Sequence, residues 1–157
     1  MDNHKYHLEY SIDAITSNKK SNKKIVFTNG CFDILHVGHI RYLSEAKSLG
    51  DILVVGINTD QSVRNLKGPS RPINSLSDRA LLLSELISVD YVISFKEQTP
   101  LKLIKMIMPD ILAKGGDYTV DTVVGSREVI DAGGRVELLK FHDGYSSTTY
   151  VDKIKKH

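Results

Sequence analysis

Thr28-Asn29-Gly30-Cys31-Phe32-Asp33-Ile34-Leu35-His36-Val37-Gly38-His39 is the stretch whose reading decides the fold. Just before it, Ile25-Val26-Phe27 is an apolar run that ends in the turn formers Asn29-Gly30, so a strand stops here. Just after it, Ile40, Leu43, Ala46 and Leu49 recur at helical spacing and Gly50 supplies a stop, which predicts a helix over 39–49. Strand, glycine turn and helix make the opening of a βαβ unit. A helix N-terminus carries partial positive charge and free N–H groups. Two imidazoles three residues apart add directed donors when neutral and charge when protonated. The combination suits an anion. Gly38 is expected to remove a Cβ where a phosphate approaches the backbone, and Gly30 to free the turn for a ligand.

The same alternation continues outward. Ile52–Ile57 is a continuous apolar run, the mark of a strand covered on both faces. Leu76, Ala80, Leu83, Leu86 and Ile87 form a second helical stripe, and Tyr91-Val92-Ile93 a third strand. Thr99-Pro100 reads as an N-cap and first-turn pair opening a helix through Leu101, Ile104 and Met108, stopped by Pro109. Asp110–Ala113 is a strand that runs into Lys114-Gly115-Gly116-Asp117-Tyr118. A helix over 122–131, a strand at Val136–Leu139 and a short final helix capped by Ser147 or Thr148 complete the pattern. Alternating units of this kind predict an α/β fold with a doubly wound parallel sheet and right-handed crossovers. Ligands of such sheets lie outside the carboxyl ends of the strands. The informative segments are therefore 28–39, 114–118, 142–149 and the loop 64–75.

Before residue 25 the chain reads differently. Leu8, Ile12 and Ile15 mark a weak amphipathic helix, and 17–24 repeats Ser-Asn-Lys-Lys twice. We read 1–24 as a helix and polar linker and 25–157 as one domain. The chain has 157 residues, 41% apolar and 25% charged, an ordinary globular balance. Twenty-one basic against 19 acidic residues leave a net charge of +2, too small to argue for nucleic acid. One cysteine, Cys31, excludes an intrachain disulfide and fits a reducing compartment. No apolar run reaches a membrane span and Met1–Lys5 lack a signal core, so a cytoplasmic protein without membrane partners is expected.

The glycine turn and histidine pair resemble the His-x-Gly-His signature of the cytidylyltransferase-like nucleotidyltransferases, here His36, Gly38 and His39. The resemblance covers 24–154 and implies a Rossmann-like nucleotidylyl transferase fold. It implies that His36 and His39 contact nucleotide phosphates, with Asn29, Gly30, Cys31 and Phe32 lining the nucleotide. Leu66–Pro72, Lys114–Tyr118 and Gly144-Tyr145-Ser146 are similar to the heptose 1-phosphate adenylyltransferase branch. That branch implies transfer of AMP from ATP, with Mg²⁺, to a sugar 1-phosphate, and a homodimer. By the same resemblance Lys67, with Arg71, would hold phosphate and Arg79 would organise the site. Lys114, Gly115, Gly116 and Asp117 would lie near base and ribose. Ser146, Ser147 and Thr148 would bind phosphate, with the register of that run open. Where other members carry an arginine before the glycine, Lys140 or His142 would supply the cation. No covalent nucleophile and no resident metal is required.

Three rival readings remain at this stage. Asp33, His36 and His39 could form a two-histidine, one-carboxylate metal triad, although Asp33 reads better as a turn or cap residue. Another branch of the family, acting on glycerol 3-phosphate or as an FAD synthetase, shares the first motif. A nucleotide-binding module without turnover is the third. Arg79, one position off its helix stripe, could equally be a surface charge, and Cys31 a small buried residue.

Overall fold

The computed structural model describes residues 8–140 and 145–156, with side chains from residue 12 onward. The readings placed on Met1–Lys5, on the Leu8 side chain and on residues 141–144 lie outside the described residues. Five strands, β1 (Ile25–Gly30), β2 (Ile52–Asn58), β3 (Tyr91–Phe95), β4 (Ile111–Gly115) and β5 (Arg135–Leu139), form one sheet in the order β3-β2-β1-β4-β5. Every pairing is parallel; Ile25 faces Ile52, Val26 faces Ile111, Val54 faces Tyr91 and Ile111 faces Arg135. The helices are α1 (Leu8–Lys20), α2 (Val37–Ser48), α3 (Asp60–Lys67), α4 (Leu76–Ser84), α5 (Leu101–Ile107), α6 (Ser126–Asp131) and α7 (Ser147–Lys155).

The strand sequence explains the layers. Successive side chains of a strand point to opposite faces. Val26, Leu53, Val55 and Val92 pack with Leu43 and Ala46 of α2 and with Ala80 and Leu83 of α4. Ile25, Phe27, Val54 and Ile93 pack with Leu103, Ile104 and Ile107 of α5, Val129 of α6 and Ile15 of α1. Burial of each such aliphatic side chain contributes roughly 1.5–3 kcal/mol. The chain runs from central β1 outward to β2 and β3, then crosses back to β4 on the other side of β1. The winding therefore reverses between β1 and β4, and a crevice opens at their carboxyl ends.

Several boundaries differ from the sequence reading. The polar residues 17–20 continue α1, because Ile15 is only 1% exposed and Asn18 bonds the Tyr91 hydroxyl. The expected loop at 64–75 begins as α3, capped by the Thr59 hydroxyl accepting from Ser62 N–H. α4 ends at Ser84, short of its stripe, and Ile87 is 99% exposed. Ile40, expected on the apolar stripe of α2, is also exposed. Pro100, not Thr99, is the N-cap residue of α5, and no hydroxyl caps that helix. The predicted helix over 122–131 is α6 preceded by a single 3-10 turn at Val120–Thr122.

Candidate active site

A cavity of about 350 Å³ lies over the β1 and β4 ends, where the winding reverses. Its floor comes from the β1–α2 connection. Phe32 takes a left-handed φ of +46°, which folds the chain sharply back after Cys31. The His36 side chain caps α2: its Nδ1 accepts from the His39 N–H at 3.4 Å. That contact places the hydrogen of neutral His36 on Nε2. The two imidazoles stack with ring centres 3.8 Å apart and planes 19° apart. Phe32 packs on His39 at 5.1 Å, and Tyr150 of α7 lies nearly parallel to His36 at 5.6 Å. Burial, the neighbouring His36 and the Lys67 charge push the His39 imidazole down to about 4, and burial lowers His36 as well. Both rings are therefore neutral at pH 7 and act through directed N–H groups. His39 Nδ1 is buried and has no hydrogen-bond partner among the described residues.

The glycines that line the cavity are also tightly packed against side chains. A Cβ on Gly38 would sit 2.9 Å from Tyr145 Cβ and 3.1 Å from His36 Nδ1. A Cβ on Gly30 would sit 2.9 Å from the Phe32 ring, and one on Gly115 2.9 Å from the Tyr42 ring. Packing within the protein is thus a further reason for glycine at 30 and 38, both of which line the cavity. Gly116 does need its φ of +111°.

The β4 side supplies Lys114, whose Nζ donates to Asn29 Oδ1 at 3.2 Å and lies 5.4 Å from the Tyr118 ring centre. Burial lowers its pKa. Tyr42 bridges the two central strands. Its hydroxyl is 2.6 Å from Thr28 Oγ1 and donates to the Ala113 carbonyl at 3.3 Å, and burial raises its pKa to about 12. α7 closes the far wall. Ser146 is its N-cap, accepting from Thr149 N–H at 3.0 Å, in place of the expected Ser147 or Thr148. The neighbouring hydroxyl of Ser147 lines the cavity and donates to Ile34 O at 3.0 Å.

The β2 side is built from buried ion pairs. Asp33 is 1% exposed, and its carboxylate is taken up by donors of the 71–74 segment, so it is not a free metal ligand. Its Oδ2 accepts from Arg71 Nε at 2.5 Å, and its Oδ1 accepts from the N–H groups of Ile73 and Asn74 at 2.8 and 3.0 Å. Burial alone would raise its pKa, but these donors hold the carboxyl below the usual carboxylate range. With both oxygens engaged, the metal triad with His36 and His39 loses its carboxylate. Arg71, expected on a phosphate, is turned onto Asp33 instead. Arg79 is fully buried, which overturns the surface-charge alternative. It donates to Cys31 O at 2.7 Å, Asn74 O at 3.1 Å and Asp60 Oδ1 at 2.7 Å, behind the cavity wall. Lys67, on the last turn of α3, does reach the cavity. The Cys31 thiol also lines it, half-exposed where full burial was one reading, and burial pushes its pKa up, away from thiolate.

Of the residues singled out from sequence, the structure brings together Asn29, Gly30, Cys31, Phe32, His36, Gly38, His39, Lys67, Lys114, Gly115 and Ser147, with Lys140 and Tyr118. Arg79, Gly116, Asp117, Ser146 and Thr148 do not line the cavity. Tyr42 lines it and was missed, and Tyr145, which the sequence marked only as part of the 144–146 run, lines it as well. Tyr42 lies three residues after His39 on the same helical face, a spacing that places it there.

Comparison with known proteins agrees with this geometry. A family model described as cytidylyltransferase-like matches residues 27–153. The bifunctional protein HldE of Citrifermentans bemidjiense is 55% identical over 148 residues, which is 94% of this chain and 30% of that protein. Its counterpart from Geobacter sulfurreducens is 52% identical over 150 residues, 95% of this chain and 30% of that protein. The chain thus spans about 30% of the length of these curated relatives. The crystal structure of a lipopolysaccharide core biosynthesis protein from Thermoplasma volcanium is 35% identical with a TM-score of 0.64, covering 79% of this chain and 99% of that one. A pantoate-beta-alanine ligase from Francisella tularensis, 17% identical with a TM-score of 0.55 over 93% of this chain and 76% of that one, shares the fold alone. Fold, site and relatives together define a nucleotidyltransferase enzyme on a Rossmann-like parallel sheet. The chain belongs to the cytidylyltransferase-like family.

Proposed function

We propose that this enzyme transfers AMP from ATP to a sugar 1-phosphate, D-glycero-β-D-manno-heptose 1-phosphate, giving ADP-heptose and pyrophosphate for bacterial surface polysaccharide. The observation that carries the reading is the stacked, neutral His36–His39 pair at the N-terminus of α2, with lysines at Lys67, Lys114 and Lys140 around the same cavity. The similarity to HldE proteins supports the choice of substrates.

The chemistry asks for such a set. A phosphate oxygen of the sugar attacks the α-phosphorus of ATP, a new P–O bond forms, and the bond to the β-phosphate oxygen breaks as pyrophosphate leaves. The attacking oxygen already carries charge at neutral pH, so no general base is needed. The protein must bring two anions together and stabilise charge spread over the transferring group. His36 and His39 would donate N–H groups to the triphosphate, Lys67 would hold phosphate on the β2 side, and Ser147 would add a hydroxyl. Arg79 would act through position, fixing the Cys31 carbonyl and the 68–75 loop.

Mg²⁺ fits this donor set only as part of the nucleotide complex. No carboxylate among the described residues lines the cavity, and Mg²⁺ sites commonly combine one or two carboxylates with substrate phosphates. When bound with ATP the ion would neutralise phosphate charge. The reading also carries a homodimer and a cytoplasmic location, checked by sedimentation equilibrium and by cell fractionation.

The test is pyrophosphate release with Mg²⁺, crossing ATP, CTP and GTP against heptose 1-phosphate and glycerol 3-phosphate. Turnover confined to ATP with heptose 1-phosphate is the expected result. Turnover with CTP and glycerol 3-phosphate would move the protein to another branch of the family. A folded protein that binds ATP but turns over no pair would be a binding module.

A further inference from the structure

No carboxylate among the described residues compensates the charge of Lys114. Its ammonium is half-buried at the carboxyl end of β4, and its two close neighbours, the Asn29 amide oxygen and the Tyr118 ring, are both neutral. No carboxylate among the described residues lies within ion-pair distance of it, and none lines the cavity it enters. An ammonium has three donors, and one amide oxygen engages only one of them. Taking a charge out of water without an anionic partner is costly. Lysines that merely pack bury their stems and keep the head in water, whereas this head is held inward by Asn29.

The sheet order adds a second constraint. Lys67 follows β2 and Lys114 ends β4, so they flank the histidine pair that follows β1. Lys67 enters the cavity from the last turn of α3 and Lys114 from the end of β4, on different elements around the β1–α2 connection. A purine or ribose has no anionic group to offer Lys114; a phosphate does.

We propose that Lys114 is a phosphate-binding residue, held ready by Asn29, and is not simply a neighbour of base and ribose. The assignment deepens the reading above and rests on it for which phosphate is bound, the acceptor's monoester or the triphosphate. The binding itself can be read without turnover. Inorganic phosphate and inorganic pyrophosphate are titrated by calorimetry into the wild-type protein, Lys114→Met and Lys114→Arg. Lys114→Met should weaken binding of at least one by about tenfold, as loss of a charged hydrogen bond does, while Lys114→Arg keeps most of it. The ligand-free melting temperature of Lys114→Met should be unchanged or higher, because a charge with no carboxylate partner among the described residues has been removed. A structural lysine would show the reverse, a lower melting temperature with phosphate affinity intact. Equal affinities in all three proteins overturn the assignment. Steady-state kinetics then name the source: a KM rise confined to the sugar phosphate assigns the acceptor, and one confined to ATP the triphosphate. If the wild-type enzyme turns over no heptose 1-phosphate, the substrate reading fails while the calorimetry still decides Lys114.

Discussion

The two walls of the cavity are held by different physics. The histidine pair within residues 28–39 is built chiefly from local structure: a strand end, a left-handed Phe32, a capped helix and stacked rings within a dozen residues, with α7 added through Ser147 and Tyr150. The Lys67 wall is fixed at long range. Asp33 reaches Arg71 and Asn74, and Arg79 ties Cys31, Asn74 and Asp60 together. The first wall is neutral and donates hydrogen bonds; the second is pinned by buried charge. A phosphate-handling site gains from the separation, because the charges that hold the loop are consumed by each other and do not compete with the ligand.

The contrast breaks most readily at Asp33. Asp33→Ala leaves Arg71 buried without its carboxylate, and urea denaturation should show a loss of about 3–5 kcal/mol. A loss below about 1 kcal/mol would mean that the loop is held by something other than this pair. At the histidine wall the effect should fall on rate and not on folding. His39→Ala should lower kcat about 10²–10³-fold, the usual cost of one transition-state donor, with an unchanged far-ultraviolet dichroism spectrum. Normal turnover would remove His39 from the phosphate site.

A pH series sharpens the comparison further. The folded-state pKa of His39, about 4, lies below the 6.5 of an unfolded imidazole. The unfolded chain therefore binds the extra proton between these values, and stability is full above pH 6.5 and falls as pH drops toward 4. Denaturant melts at pH 7 and pH 5 should differ by about 1–2 kcal/mol, and His39→Gln should flatten the difference. Asp33 acts in the same sense at lower pH, as carboxylates with a lowered pKa do: its contribution is present above the unfolded carboxylate pKa and is lost as pH falls through the folded value. A wild-type profile flat down to pH 5 would contradict the buried neutral ring. The smallest effect is expected at the cap of α7, where Ser146→Ala should cost about 1 kcal/mol and loosen the helix that stacks Tyr150 on His36.

The same division explains what could be read in the sequence. β1, α2 and the histidine pair follow from patterns of three or four residues, and β2 from one unbroken apolar run. Asp33 could not be placed, because its partner Arg71 lies thirty-eight positions away and only the fold brings them together. Pattern alone left Arg79 open between a surface charge and the organising role that the resemblance implied, for a related reason: a lone arginine beside an apolar stripe does not reveal its long-range partners Cys31 and Asp60. α3 was hidden by composition. Val63 is its one buried apolar side chain, and the cations and prolines that follow masked the Thr59-Asp60 cap signal. Lys67 was legible as a cation yet its loop was not legible as a helix.

The Tyr42 ring fills the space that a side chain at Gly115 would occupy, while its hydroxyl spans Thr28 and Ala113. In evolutionary terms the two positions form one heritable unit. A change to alanine at 115 is admissible only in a lineage that first reduces residue 42, and a reduced residue 42 leaves a void that invites a larger residue at 115. Position 42 and position 115 should thus vary in concert among descendants of this fold, seventy-three residues apart in the chain and in contact across the sheet.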